Sequence, residues 1–183
     1  MLSESFSMRL IPILLFTLNS MAAQHIFDFS LESDISDWNV VDDVVMGGRS
    51  DGPFQLSPEG HGEFRGTVSL ENNGGFSSVR YSFAPMATEG NTHIRIRLKG
   101  DGKSYQFRIR HSTGISYSYN HSFDTAMVWE DIVLPLKEFY PTYRGRNLDL
   151  PNFEHEHIEE IAFLISNKKP EKFKLLIDFI RLE

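Results

Sequence analysis

The run Thr92-His93-Ile94-Arg95-Ile96-Arg97-Leu98-Lys99 alternates polar and apolar residues without a break. Successive side chains of a β-strand point to opposite faces, so this run offers one face to a core and one to water. Tyr105-Gln106-Phe107-Arg108-Ile109-Arg110 repeats the pattern after Gly100-Asp101-Gly102, and the two runs are expected to pair as a hairpin. The same period of two places further strands at 25–29, 62–69, 76–83, 114–119, 127–134, 160–165 and 173–182. Turn chemistry separates them, as at Asn72-Asn73-Gly74-Gly75, Glu89-Gly90-Asn91 and Asn167-Lys168-Lys169-Pro170. Helix signals are scarce, and the best predicts one or two turns over 152–161. Nine or so short strands with regular turns predict an all-β chain folded as an antiparallel β-sandwich or jelly roll.

The chain has 183 residues, 40% of them hydrophobic and 15 of them Phe, which supplies one well-buried core and not two. A formal charge of −7 argues against a nucleic-acid partner, which would require a basic domain. The absence of cysteine removes disulfides, thiolate metal sites and a Cys nucleophile together. At the N-terminus, Met8-Arg9 precedes a nine-residue apolar run, Leu10 to Leu18, and then the small residues of Asn19-Ser20-Met21-Ala22-Ala23. Such a segment reads as a secretory signal over residues 1–23 and is too short to span a bilayer. The expectation is an exported chain, periplasmic or secreted, with a single β-sandwich domain over 24–183 and no transmembrane segment once the signal is cut.

No constellation announces catalysis. Gly48-Arg49-Ser50-Asp51-Gly52 has the Gly-x-Ser-x-Gly spacing but no helix signal behind it, so it is not a nucleophile elbow. There is no His-Glu-x-x-His helix and no Gly-rich phosphate loop between a strand and a helix. Asp42 and Asp43 are neighbours, so in an extended segment they point apart and do not form a glycosidase pair. His155-Glu156-His157 places two imidazoles on one face without a third ligand, and reads as a polar loop more readily than as a zinc site. No catalytic residue, metal ligand or cofactor is therefore assigned. Two surfaces remain as binding candidates. Arg95, Arg97, Lys99, Arg108 and Arg110 are expected on the outer face of paired strands, either as one cationic patch or as a solvated face matched by carboxylates. Tyr105, Tyr117, Tyr119, Tyr140 and Tyr143 can line a carbohydrate groove, although Ile115 shares a face with Tyr117 and Tyr119 and argues that this face is core.

The segment behind Trp38 carries the most distinctive chemistry. Val41-Asp42-Asp43-Val44-Val45-Met46-Gly47-Gly48-Arg49-Ser50-Asp51-Gly52 combines adjacent carboxylates, a glycine pair and an arginine, the composition of a shaped loop. Asp42 or Asp43 is expected to accept backbone N–H groups of that loop, and Arg80 and Arg144 are candidates for charge-assisted bonds to the same carboxylates. Gly74-Gly75 before Phe76 predicts a second tight entry into a strand.

The stretches Trp38 to Ser50 and Glu71-Asn72-Asn73-Gly74-Gly75-Phe76-Ser77-Ser78-Val79-Arg80 resemble the complex I intermediate-associated protein 30 family. So do Phe139-Tyr140-Pro141-Thr142-Tyr143-Arg144-Gly145, Ile161-Ala162-Phe163-Leu164-Ile165 and Leu176-Ile177-Asp178-Phe179-Ile180. The resemblance covers about residues 26–182. It implies a galactose-binding-like β-sandwich and, from mitochondrial members, a chaperone-like role in which an assembly intermediate of respiratory complex I is bound. The expected function is a non-catalytic, assembly-factor-type module that binds a protein partner through the 42–52 and 71–80 loops. The expected rim consists of Asp42, Asp43, Gly47, Gly48, Arg49, Ser50, Gly74, Gly75, Arg80 and Arg144. An exported carbohydrate-binding module is the alternative.

Overall fold

The computed structural model describes residues 23–43 and 48–183. The expected signal segment therefore lies outside the described residues except for Ala23, as does Gly47 of the expected rim.

Thirteen strands form among the described residues: β1 (Gln24–Asp28), β2 (Trp38–Val40), β3 (Phe54–Leu56), β4 (Gly62–Val68), β5 (Ser77–Ala87), β6 (His93–Lys99) and β7 (Ser104–Arg110), then β8 (Ser118–Asp124), β9 (Trp129–Pro135), β10 (Tyr140–Tyr143), β11 (Arg146–Asn147), β12 (His157–Ile165) and β13 (Glu171–Leu182). They make two antiparallel sheets. The first runs β3-β4-β13-β6-β9, with β1 paired to the far half of β13; the second runs β11-β10-β8-β7-β12-β5-β2.

Alternation explains the layering. Ile94, Ile96 and Leu98 of β6 and Leu175, Ile177, Ile180 and Leu182 of β13 are fully buried from the first sheet. They meet Val79 of β5, Phe107 and Ile109 of β7, and Ile161, Phe163 and Ile165 of β12 from the second. Each such side chain contributes roughly 1.5–3 kcal/mol by leaving water. Trp38 is likewise buried, stacked on Tyr81 at 5.0 Å and on Phe54 at 4.9 Å, and so ties β2 to both sheets. This is the expected all-β sandwich.

Three local expectations are corrected. First, β6 and β7 do not pair: β6 lies between β13 and β9, whereas β7 lies between β12 and β8. The connection Gly100–Lys103 crosses from one sheet to the other. Alternating runs that face each other across a core, about 10 Å apart, have the same pattern as runs side by side in one sheet. Asp101 anchors the crossing, accepting bonds from the Tyr105 hydroxyl at 3.0 Å and the Lys174 backbone N–H at 2.9 Å. Second, no helix forms over 152–161. Residues 152–156 are irregular and β12 begins at His157, because Ile158 and Ile161 are drawn into the core as strand residues. Third, the strand expected at 114–119 forms instead at Ser118–Asp124, and the short β2, β3, β10 and β11 carry too little periodicity to be seen in advance.

Candidate functional site

The two glycine-bearing loops meet around one carboxylate. Asp43 is fully buried. One of its oxygens accepts the Ser50 backbone N–H at 2.8 Å; the other accepts Gly75 N–H at 2.6 Å, Phe76 N–H at 3.3 Å and the Ser50 hydroxyl. Ser50 in turn accepts the Ser69 backbone N–H at 3.0 Å. Burial raises the Asp43 pKa, but these bonds outweigh it and hold the group below the ordinary carboxylate range. Asp42 accepts Gly52 N–H at 3.1 Å and the Ser77 hydroxyl. Here burial dominates, assisted by the charges of Asp51 and Asp43, and the pKa is raised.

This geometry accounts for the glycines. A Cβ on Gly48 would lie 2.2 Å from one Asp43 oxygen, and a Cβ on Gly74 would lie 2.5 Å from the other. Gly75 has φ of +137°, a backbone conformation that L side chains rarely adopt. Gly48 and Gly74 therefore leave room for a buried carboxylate, and the carboxylate ties Ser50 to Gly75 and Phe76. Arg49 stands outside this cradle and pairs with Glu71 at 2.8 Å, both side chains largely exposed. Among the described residues neither Arg80 nor Arg144 pairs with Asp42 or Asp43, contrary to expectation. The carboxylates are satisfied by backbone and hydroxyl donors, and both arginines face elsewhere.

Arg80 and Arg144 line a groove of about 600 Å³ on the outer face of the second sheet, with Val41 and Phe76 at its loop end. Its register is legible in the pairing: Arg80 lies across from Ala162, Ala162 from Arg108, and Arg108 from Asn120. Small or buried residues, Ser78, Ala162, Leu164, Asn120, Ser118 and Thr142, make that face concave. Gln106, Arg108, Arg110 and Lys168 join the lining. Arg144 enters through the β10–β11 hairpin, whose two turn residues Arg144 and Gly145 have φ of +47° and +73°. Its guanidinium lies 5.4 Å from the Tyr143 ring centroid.

The five basic residues expected together on one outer face, as a cationic patch or a solvated face matched by carboxylates, lie instead on two surfaces on opposite sides of the molecule. On the first sheet Arg95 pairs with Glu183 at 2.8 Å and Asp131 at 3.5 Å, and Arg97 with Asp131 at 3.1 Å. That face is a neutralised, solvated one. On the second sheet Arg108 and Arg110 share the groove with Arg80. The signal for the groove was present at Ile161-Ala162-Phe163-Leu164-Ile165, apolar on both faces where a solvated outer face would show polar alternation.

The aromatic candidates divide similarly. Tyr105 and Tyr119 are core residues, and the Tyr140 hydroxyl accepts a bond from Asn120 at 3.0 Å. Tyr143 is exposed at the groove. His155 stacks on His111 with ring centroids 3.6 Å apart, and its Nε2 lies 2.6 Å from the Tyr119 hydroxyl. Among the described residues no group of three or more His, Cys, Asp or Glu is disposed to hold a metal ion. No described helix is long and apolar enough to cross a membrane.

Comparison with known proteins bears on both fold and context. A family model described as Complex I intermediate-associated protein 30 matches residues 27–177. "Complex I intermediate-associated protein 30, mitochondrial" of Mus musculus is 25% identical over 182 residues, covering 86% of this chain. The chain spans 55% of that relative's length. Among solved structures, the family 11 carbohydrate-binding module of the cellulosomal cellulase Lic26A-Cel5E of Clostridium thermocellum superposes with a TM-score of 0.65. It is 18% identical, with 89% of this chain and 95% of that one covered. The same module in complex with a β-1,3-1,4-mixed-linked tetrasaccharide gives 0.64 at 20% identity, with 89% and 96% covered. The sandwich is accordingly a galactose-binding-like jelly roll. The expectation of export is corrected, because the matched curated relative is mitochondrial by name. One arginine, a short apolar run and small residues are features that a receptor reads, and they do not fix a compartment through any physical property of the fold.

Proposed function

The chain belongs to the complex I intermediate-associated protein 30 family, and from that premise we propose that it is a non-catalytic, assembly-factor-type module that binds a protein partner. The match of the family model over residues 27–177 carries this reading. The partner is met on the face where the two locked loops border the groove. Asp43 ties Ser50 to Gly75 and Phe76 before any partner arrives, which lowers the ordering cost of association. Leu70 and the Arg49–Glu71 pair offer exposed contacts beside them.

A crosslinking pulldown with the full chain tests this, comparing wild type with an Arg49→Ala, Leu70→Ala variant. Both substitutions lie outside the Asp43 cradle, so the variant is expected to melt like wild type and to lose its partner. Equal recovery by the variant removes the loops from the interface. A second reading, carbohydrate binding, draws on exposed Tyr143 beside Gln106, Ser118 and Thr142 in the groove. Arg144 already lies close to that ring and competes with a sugar for it. A glycan array hit abolished by Tyr143→Ala supports the second reading, and an empty array removes it.

A further inference from the structure

The groove on the second sheet concentrates positive charge that carboxylates among the described residues neutralise only in part. Five of its fifteen lining residues are Arg or Lys, and none is Asp or Glu, in a chain of net charge −7. Among the described residues only Arg110 of these five has a carboxylate partner, Glu160 at 3.4 Å, and that carboxylate also accepts from Ser82 at 3.3 Å. The Arg108 guanidinium meets Gln106 Oε1 at 2.8 Å, a neutral acceptor. Among the described residues the buried Arg108 Nε has no hydrogen-bond partner, whereas the Arg110 Nε is the atom that faces Glu160. Burial, and then the charges of Arg80 and Arg110, pull the Arg108 pKa down to about 10. A buried donor left unpaired costs roughly 1–3 kcal/mol, more when charged, so the cluster is held at the expense of stability.

We propose that this groove is the seat of an extended acidic peptide segment, whose carboxylates are taken by Arg80, Arg108 and Arg110. The inference rests on the protein-partner reading above and names the chemistry of that partner. Spacing favours a peptide over a single small anion. Arg108 and Arg110 are two residues apart on one strand, about 7 Å, and Arg80 lies two strands from Arg108, about 10 Å. Alternate side chains of an extended chain recur at about 7 Å, which matches the first interval. A cavity of about 600 Å³ also exceeds what one ion fills. Guanidinium groups with free edges are suited to paired bonds with carboxylates. Lys168 and Arg144, on turns at the rim, add charge that steers an acidic segment inward.

The test uses the full chain and fluorescence anisotropy. The probe is a labelled peptide of alternating glutamate and threonine, with its glutamine counterpart as control. The glutamate peptide is expected to bind with an affinity that falls as salt rises, and the glutamine peptide is not expected to bind. Arg108→Gln is expected to weaken binding by about tenfold or more. Its melting temperature is expected to hold or rise, because a buried charge beside two like charges is removed. Arg95→Gln, on the opposite face, leaves binding unchanged.

Four results with the purified chain overturn the proposal. They are failure of the glutamate peptide to bind, equal binding by the glutamine peptide, a marked fall in the melting temperature of Arg108→Gln, and displacement of the peptide by inorganic phosphate or polygalacturonate at equal charge concentration. The last would mark the groove as a small-anion or anionic-sugar site. The pulldown separates the two readings. If Arg108→Gln recovers the same protein partner as wild type, only the acidic-segment assignment falls. If the glutamate peptide binds but no protein is captured, only the partner-binding function falls.

Discussion

Asp43 shows how one side chain dictates the composition of two distant segments. Its two oxygens take three backbone N–H groups and a hydroxyl, and the space they occupy forbids a Cβ at Gly48 and Gly74. Asp43→Ala leaves those donors without an acceptor in a buried place, at a cost of about 2–4 kcal/mol. Gly48→Ala is destabilising in the wild type because its methyl meets the carboxylate. An Asp43→Ala background removes the two tightest contacts of that methyl, at 2.2 and 2.3 Å, and leaves the Cβ of residue 43 at 2.8 Å, so the cost of Gly48→Ala falls without vanishing. A double-mutant cycle by urea denaturation is expected to give a coupling of about 1 kcal/mol or more. Additive losses would show that the glycine and the carboxylate do not share that space. Because the folded-state pKa of Asp43 is depressed, its stabilisation is complete above the unfolded value of 3.8 and is lost as pH falls through the lower folded one.

At the scale of elements, the β10–β11 hairpin carries a residue its turn does not favour. Both turn residues have positive φ, the geometry in which Asn-Gly is preferred, yet the first is Arg144. Arg144→Asn is expected to stabilise the chain by about 0.5–1 kcal/mol, read from the urea midpoint, because the left-handed conformation is strained for arginine. The same change removes a cation from the groove rim. If stability is unchanged, the hairpin does not feel the backbone of this residue. The β6–β7 connection teaches a different lesson. Both strands are visible as alternating runs, but a period of two reports only that one face is buried, not which sheet a strand joins. Long-range pairing to β13 in one case and β12 in the other settled that.

Across the whole molecule, the histidines couple stability to pH. His111 and His155 stack on each other with His157 nearby, and burial followed by the neighbouring imidazoles lowers the pKa of His111 and His155. The stabilising effect of keeping them neutral is complete above the unfolded value of 6.5. It is lost as pH falls from there through the lower folded values. The melting temperature is therefore expected to drop between about pH 7 and pH 5, and His111→Phe is expected to flatten that drop. An unaltered slope in the variant would place the pH dependence in other groups. Charge is also segregated on this scale. Arg95 and Arg97 are met by Asp131 and Glu183 on one outer face, whereas among the described residues Arg80 and Arg108 pair with no carboxylate on the other.

The sandwich and the family are both written in local patterns of the chain. Strict alternation in β6 and β7 leaves no other way to bury Ile, Leu and Phe, and the glycine-bearing segments around Asp43 and Gly74 are distinctive because a buried carboxylate tolerates few neighbours. Only the tertiary structure decided the partners of those residues. It gave Asp42 and Asp43 to backbone donors and not to Arg80 or Arg144, and it divided the arginines between two faces. The physical reason is range. Alternation and turn chemistry act between residues a few positions apart, whereas a groove lined by Arg80, Arg108 and Arg144 exists only after five strands have been brought side by side.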